Sequence, residues 1–350
     1  MTYMKKIIYL MISSVLLFSG CSKQSAPPKS PEQYNKYIFF SQNIATKASL
    51  IGSKEDLKEK QFAVVGFNYD NAYDWDTVRA NATPDVFAAN PLAVTCDDNG
   101  YGTYSPLQGW SNSKEYTFFA FYPMPNDYVS LVNLDGTAYT AGVPAIKYSL
   151  DITDAATFKA SMFDVMTAPH HEDKYWRSAT DNNIANGEVT MAFSHRLSSL
   201  GVNLSNSSAG AIQIQGIYLN IADVLYQQIV LPLDGSPATA SGNAFDIDQV
   251  PVGEAISLAT GSTTELTDKV ILIPQSSEIS IELIVVYKRQ FGNSAPSSLI
   301  TFGPFSLTTV LTAGNKHMIS LNFKDDTVEV ESEVSAEGWI DMPDVEDTFN

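Results

Sequence analysis

Two cysteines, four histidines and no basic cluster are the scarcities that narrow this 350-residue chain. With so few thiols, no disulfide framework can brace the fold, and stability has to come from packing. Lys and Arg total 21 against 39 Asp and Glu, a formal net charge of −18. A surface of that sign neither releases counterions from nucleic acid nor attracts anionic lipid, so neither is expected as a partner. The apolar runs are short. None reaches the roughly 20 residues of a bilayer-spanning helix, and none carries a helical apolar stripe over three turns. Gly-rich phosphate loops, G-x-S-x-G elbows and Cys/His clusters are missing, so the residues call for no cofactor, no metal and no enzymatic activity.

What the chain does have is an export signal. Lys5 and Lys6 precede an apolar stretch from Ile7 to Phe18, and Ser19-Gly20 place small residues before Cys21. Residues 1–20 are expected to be removed, which takes the charge from −18 to −20 with the loss of two lysines. Cys21, followed by Ser-Lys-Gln-Ser, resembles a bacterial lipobox, in which the thiol is joined to diacylglycerol and the new N-terminus is acylated. Buried acyl methylenes contribute about 0.8 kcal/mol each, enough in two or more chains to hold a domain on a membrane. Cys96 is then left without a thiol to pair with. The Pro- and Ser-rich stretch SKQSAPPKSPEQ, residues 22–33, reads as a tether.

Periodicity predicts an all-β fold. Short alternating or apolar runs recur between Gly, Pro, Asn and Asp: Gln61 to Phe67, Tyr116 to Tyr122, Val189 to Phe193, Leu200 to Leu204, Ala211 to Ile221, Val270 to Ile273, Ile279 to Tyr287 and His317 to Phe323. Helix is expected only as a turn or two near Leu57 and over Asp154 to Phe163. The polar stretch Ser178 to Glu188 is read as a domain boundary.

Clusters that could carry chemistry mostly fail on geometry. His170-His171-Glu172-Asp173 are four possible ligands, but neighbours on an extended chain point opposite ways, and a solvated loop is expected. Ser194 and His195 fall on opposite strand faces and cannot form a nucleophile pair; His195 is expected at a strand end, satisfied by backbone. Asp70, Asp74 and Asp76, and Asp97-Asp98, lack calcium-loop spacing. Asp97-Asp98-Asn99-Gly100 reads as a hairpin turn.

Five segments in order carry a resemblance: YSPLQGWSNSKEYTFFAFYP (104–123), VPAIKYSL (143–150), GEVTMAFSHRLSSLGVNLSN (187–206), ILIPQSSEISIELIVVYK (271–288) and LTAGNKHMISLNF (311–323). Together they resemble the fimbrillin family of Bacteroidetes surface lipoproteins, from about residue 35 to about residue 323. The resemblance implies two tandem transthyretin-like β-sandwich domains, taken as 48–187 and 188–324. It also implies a shaft, tip or anchor subunit of a thin pilus, which reaches the cell surface as an outer-membrane lipoprotein and supports adhesion. In such shaft subunits a trypsin-like protease removes an N-terminal strand, and another subunit, commonly a second copy, donates a strand to the vacated groove. Mapped onto this chain, residues 21–47 are tether and removable strand, with Tyr37 to Phe40 at its centre and the cut at Lys47-Ala48, where relatives generally carry Arg. Residues 325–350 are the donor. There Val328, Val330 and Val334 alternate with Glu329, Glu331 and Glu333, and Trp339 is the anchor. Two alternatives stand beside this reading. The last segment could be the final strand of the second domain, and the protein could remain on the membrane as a pilus anchor or a glycan-binding module, with Trp75 and Trp110 gathered on neighbouring loops.

Overall fold

Runs that alternate apolar with polar residues pair edge to edge wherever one face can be buried, and here they build almost the whole molecule. The computed structural model describes residues 37–44, 59–70, 72–97, 101–111, 114–173, 188–223, 225–242, 245–253, 256–266 and 270–335. The fold is all-β, with two short helices among the described residues.

The N-terminal half contributes β1 (Phe39–Ile44), β2 (Gln61–Asp70), α1 (Trp75–Val78), β3 (Leu92–Cys96), β4 (Tyr101–Thr103), β5 (Lys114–Tyr122), β6 (Val129–Val132), β7 (Ala145–Ser149), α2 (Ala155–Ser161), β8 (Met166–Asp173) and β9 (Glu188–His195). Seven of these strands close a barrel in the order β1-β4-β3-β2-β5-β8-β9. Closure removes the sheet edges. Strands β2 and β5 are apolar on both faces because each serves two layers. Phe62, Val64, Phe118 and Ala120 fill the barrel, while Val65, Phe67, Phe119 and Phe121 join Trp75, Tyr148 and Phe158 in a second core. Asp154 starts α2 with a reciprocal capping box to Thr157, as its position before an apolar turn predicts.

The C-terminal half contributes β10 (Ser198–Asn206), β11 (Ala211–Asp223), β12 (Gln228–Pro232), β13 (Thr239–Ser241), β14 (Phe245–Gly253), β15 (Ile256–Leu258), β16 (Thr263–Glu265), β17 (Val270–Leu272), β18 (Ile279–Gln290), β19 (Ile300–Thr309), β20 (Lys316–Phe323) and β21 (Val328–Ser335). One sheet runs β16-β10-β20-β21 with β17 also on β10; the other runs β14-β11-β18-β19 with β15 also on β11. Their inward residues share a core, and the Tyr287 and Phe323 rings meet across it at 5.1 Å. A fourth sheet, β13-β12-β7-β6, takes two strands from each half, with β7 antiparallel to β12 from Ala145↔Pro232 to Ser149↔Gln228. The halves are therefore stitched by a backbone ladder, and the second core runs continuously through both.

Three expectations change. Glu188 to His195, placed beyond the boundary at 187, form β9 and pair with β1 and β8 in the barrel, so the chain crosses to the C-terminal sheets only at Ser198. Polar composition marks a connection, and connections inside a barrel look the same as those between domains. His170 to Asp173 belong to β8 rather than to a loop, with His171, Glu172 and Asp173 opposite Phe118, Thr117 and Tyr116 of β5. His195 ends β9 as expected, but its ring meets the Asp164 carboxylate at 2.9 Å in the interior, not backbone alone.

Candidate functional site

Strand β1 lies where no sheet can spare a member. It runs parallel to β9, Phe39↔Glu188 through Ile44↔Phe193, and antiparallel to β4, with Phe40 opposite Gly102. Ile38 and Phe40 are fully buried in the barrel core, and Phe39 and Gln42 are nearly so. The Phe40 ring sits 5.4 Å from Phe118, 5.8 Å from Tyr104 and 6.1 Å from Phe87, centroid to centroid. At about 1.5–3 kcal/mol for each large apolar side chain, Ile38, Phe39 and Phe40 contribute roughly 5–9 kcal/mol, comparable with the net stability of a typical domain. Without β1 the barrel is an open groove with an apolar floor and unpaired ladders on both sides.

Gly102 makes the strand's approach possible. A Cβ there would lie 2.4 Å from Val94 Cγ1 and 3.2 Å from Phe40 Cβ. The mouth of the groove is held by side chains that bond to main chain. Tyr104 Oη donates to the Ile38 carbonyl at 2.7 Å, and Trp110 Nε1 donates to the Tyr37 carbonyl at 3.0 Å. The Ile38 amide donates to the Gln108 carbonyl at 2.9 Å, and Tyr37 bridges Gly109. Burial raises the Tyr104 phenol well above its ordinary pKa, which keeps it a donor.

Deeper in the groove stands one polar rung. The Cys96 thiol donates to Gln42 Oε1 at 2.7 Å, and burial pushes its pKa up to about 11. Among the described residues the buried Gln42 Nε2 has no hydrogen-bond partner. An unsatisfied buried donor of this kind costs about 1–3 kcal/mol. On the opposite strand face, the Ser41 and Thr190 hydroxyls meet at 3.1 Å.

The residues singled out in the sequence are distributed as follows. Tyr37 to Phe40 enter the groove. Cys21, Lys47, Ala48, Trp176 and Trp339 lie outside the described residues. Val328, Val330 and Val334 are on β21, antiparallel to β20 of the same chain, opposite Phe323, Leu321 and His317. Val328 is buried and Glu329 and Glu331 face out, the alternation that the sequence announces. Trp75 is buried against Phe67 and Phe119 in the second core, whereas Trp110 packs on Tyr116 and Phe118 at the barrel, so the two do not share an exposed face. Asp70 and Asp74 accept from the Ala72 and Thr77 amides as turn and helix caps. Asp97 Oδ1 accepts from the Tyr101 amide across the β3–β4 hairpin. Among the described residues no three His, Cys, Asp or Glu side chains converge on a point that could hold a metal ion. Gly102, Tyr104, Gln108 and Gln42 were not anticipated; a Gly directly after Tyr101 and two places before Tyr104 was the available hint.

Comparison with known proteins gives a consistent result. The fimbrillin-like family matches residues 66–339. A fimbrial protein from Bacteroides vulgatus is similar in structure with a TM-score of 0.63 at 17% identity, over 87% of this chain and all of that one (100%). Provisionally assigned cell adhesion proteins from Bacteroides ovatus and Bacteroides uniformis each give 0.49, at 16% and 14% identity, over 88% and 87% of this chain and 99% and 100% of theirs. No curated protein matches. At these identities the structural likeness concerns the fold.

Proposed function

The chain belongs to the fimbrillin-like family, a structural rather than an enzymatic one, and on that premise we propose that it is a subunit of a surface fimbrium that supports adhesion. In this reading it is exported as a lipoprotein on Cys21, held at the outer membrane until a trypsin-like protease cuts after Lys47, and polymerised with other copies by strand donation into the groove of β1.

The observation that supports the reading is the position of β1. It is the first strand of a closed barrel, its two ladders are to β4 and β9, and it ends at Ile44, just before Lys47. Excising it breaks no other connection of the barrel, yet exposes the apolar floor under Ile38 and Phe40. A cut after Lys47 also discards Cys21 and its lipid, so one proteolytic event both frees the subunit and activates it for assembly. Two of the edge strands of the other sheets suit this division of labour. Strand β19 carries Pro304, and β21 presents Glu329 and Glu331 outward. Proline and charge blunt an edge against unplanned pairing.

Intact-mass measurement of protein sheared from cells tests the proposal. A chain beginning at Ala48, in oligomers that resist unheated SDS, supports it. Diacylated Cys21 in every molecule would instead assign the protein to the membrane as an anchor.

A further inference from the structure

At one end of the fourth sheet, three connections enclose a cleft of about 720 Å³. They are the residues that follow α1, the β6–β7 connection and the β12–β13 turn, so both halves of the chain contribute. The size falls within the range of small-molecule sites, about 300–1,000 Å³. None of its residues belongs to β1 or to a strand that pairs with β1.

The walls are held in place from within. Asn133 folds the β6–β7 connection back on itself: its amide donates to the Thr137 hydroxyl at 3.0 Å and the Ala138 carbonyl at 3.1 Å, and its Oδ1 accepts from the Thr140 amide at 3.1 Å. The Gly142 amide donates to the Ala82 carbonyl at 2.7 Å, which ties that connection to the chain beyond α1. Gly142 has a φ of 86°, and a Cβ there would come within 3.3 Å of the Ala80 carbonyl oxygen. Asp135 accepts from the Thr137 amide at 2.9 Å and its hydroxyl at 2.6 Å, and Asp234 accepts from the Ser236 amide at 2.9 Å. Both turns use Oδ1, so Oδ2 of each carboxylate is the oxygen left to meet a ligand.

Donors, acceptors and apolar surface alternate around this cleft. Arg79 is half exposed, with Nη1 3.3 Å from Asp76 Oδ1, and the rest of its fork can donate to a ligand. Thr140 and Ser236 add hydroxyls, which donate or accept. Leu134 is 51% exposed, and with Ala80, Ala141 and Val143 it lays an apolar strip between the polar groups. A molecule that alternates hydroxyls with C–H surface matches this lining, and carbohydrates are built that way. Charge narrows the class further. Two carboxylates stand against one guanidinium already shared with Asp76, on a chain of net charge −18. The Thr137 hydroxyl and amide hold the Asp135 carboxyl below its usual pKa, so it stays ionised. Sugars carrying sialic acid, sulfate or uronate are therefore repelled.

We propose that this cleft binds a neutral oligosaccharide, with Arg79, Asp135 and Asp234 bonding to its hydroxyls and Leu134 lying against its C–H face. The site makes no use of the β1 groove, so its failure leaves strand donation untouched. In a fimbrium the cleft recurs in every copy, and weak single contacts add through avidity.

An array of defined oligosaccharides tests it. Neutral glycans ending in galactose, glucose, mannose or N-acetylglucosamine are printed beside sialylated and sulfated counterparts and probed with the full-length protein, and the strongest binder is then titrated in solution. The proposal predicts signal confined to the neutral glycans. Asp135→Asn keeps a side-chain oxygen for the turn and removes the charge; it should weaken the titrated glycan about tenfold or more, as loss of a hydrogen bond to a charged group does. Ala141→Trp fills the cleft and should abolish binding, with Arg79→Gln taking its place if the tryptophan lowers the urea midpoint. Glu278→Gln, exposed in the β17–β18 connection, should change nothing. Binding confined to sialylated or sulfated glycans, binding to no neutral glycan, or neutral binding that no cleft variant weakens overturns the proposal. A lysine-rich peptide that binds the natural protein but not Asp135→Asn, with no glycan bound, overturns it as well and gives the cleft to a basic partner.

Discussion

Replacing Phe40 by Ala separates the roles of β1 before and after processing. The side chain is fully buried, with the rings of Phe87, Tyr104 and Phe118 around it. Phe→Ala truncation at such a site costs about 3–5 kcal/mol, the transfer term plus the cavity left when three aromatic neighbours cannot collapse. The unprocessed protein should therefore lose about that much stability in a urea titration followed by tryptophan fluorescence, since Trp110 packs within the affected cluster. The assembled polymer should lose nothing, because residue 40 has left with the cleaved segment and the well is filled by a neighbour. The comparison needs only the two titrations and a measurement of polymer dissociation in denaturant. A Phe40→Ala precursor within about 1 kcal/mol of the natural protein would refute the claim that β1 completes the barrel. A polymer destabilised as much as the precursor would show that β1 was never exchanged.

Further outcomes follow from the same groove. Gly102→Val forces a side chain to within 2.4 Å of Val94 and crowds Phe40; overpacking of this kind costs about 1–3 kcal/mol. The precursor should unfold at lower urea and the yield of sheared polymer should fall, whereas normal polymer yield would show that this position tolerates bulk and that strand approach is not limiting. Alkaline pH should destabilise the precursor. Cys96 is protonated in the fold, with its pKa raised to about 11 against an unfolded value near 8.5–9, and the Tyr104 phenol is raised as well. The unfolded state gives up these protons first, so stability is intact below about pH 8.5 and declines as pH rises through 9 to 11. A flat urea midpoint from pH 8 to pH 11 would contradict the burial of both groups.

Much of the architecture was legible because β-strands advertise themselves by alternation. Ile279 to Tyr287 switch between buried and half-buried at every step in β18, and His317 to Phe323 do nearly the same in β20. The two-faced apolar runs QFAVVGF and YTFFAFY belong to strands wedged between two cores, which a single-sheet reading does not distinguish from an ordinary core strand. Partner choice was not legible. Nothing in Phe39 to Ile44 says that the strand pairs in parallel with residues some 150 positions later, and nothing in Ala145 to Ser149 announces a ladder to Gln228–Pro232. The alternation of Val328, Val330 and Val334 gives a face to bury but not the sheet that buries it, and the structure seats it on β20. The groove's specific features were hidden for a related reason. Gly102, Tyr104 and Gln42 matter through contacts with backbone or across the barrel, and such contacts leave no periodic trace.

The reactivity of Cys96 reports on the groove at every stage. With β1 in place the thiol is buried and its pKa stands at about 11; at pH 8 that leaves a thiolate fraction of about 0.001, against about 0.2 for an exposed thiol with a pKa near 8.5. Labelling of the protein with a maleimide at pH 8 should be slow in the precursor, faster by about two orders of magnitude once the segment through Lys47 is cleaved and washed away, and slow again in the assembled fimbrium. A rate that stays constant through cleavage and assembly would contradict the exchange of β1 for a neighbour's strand.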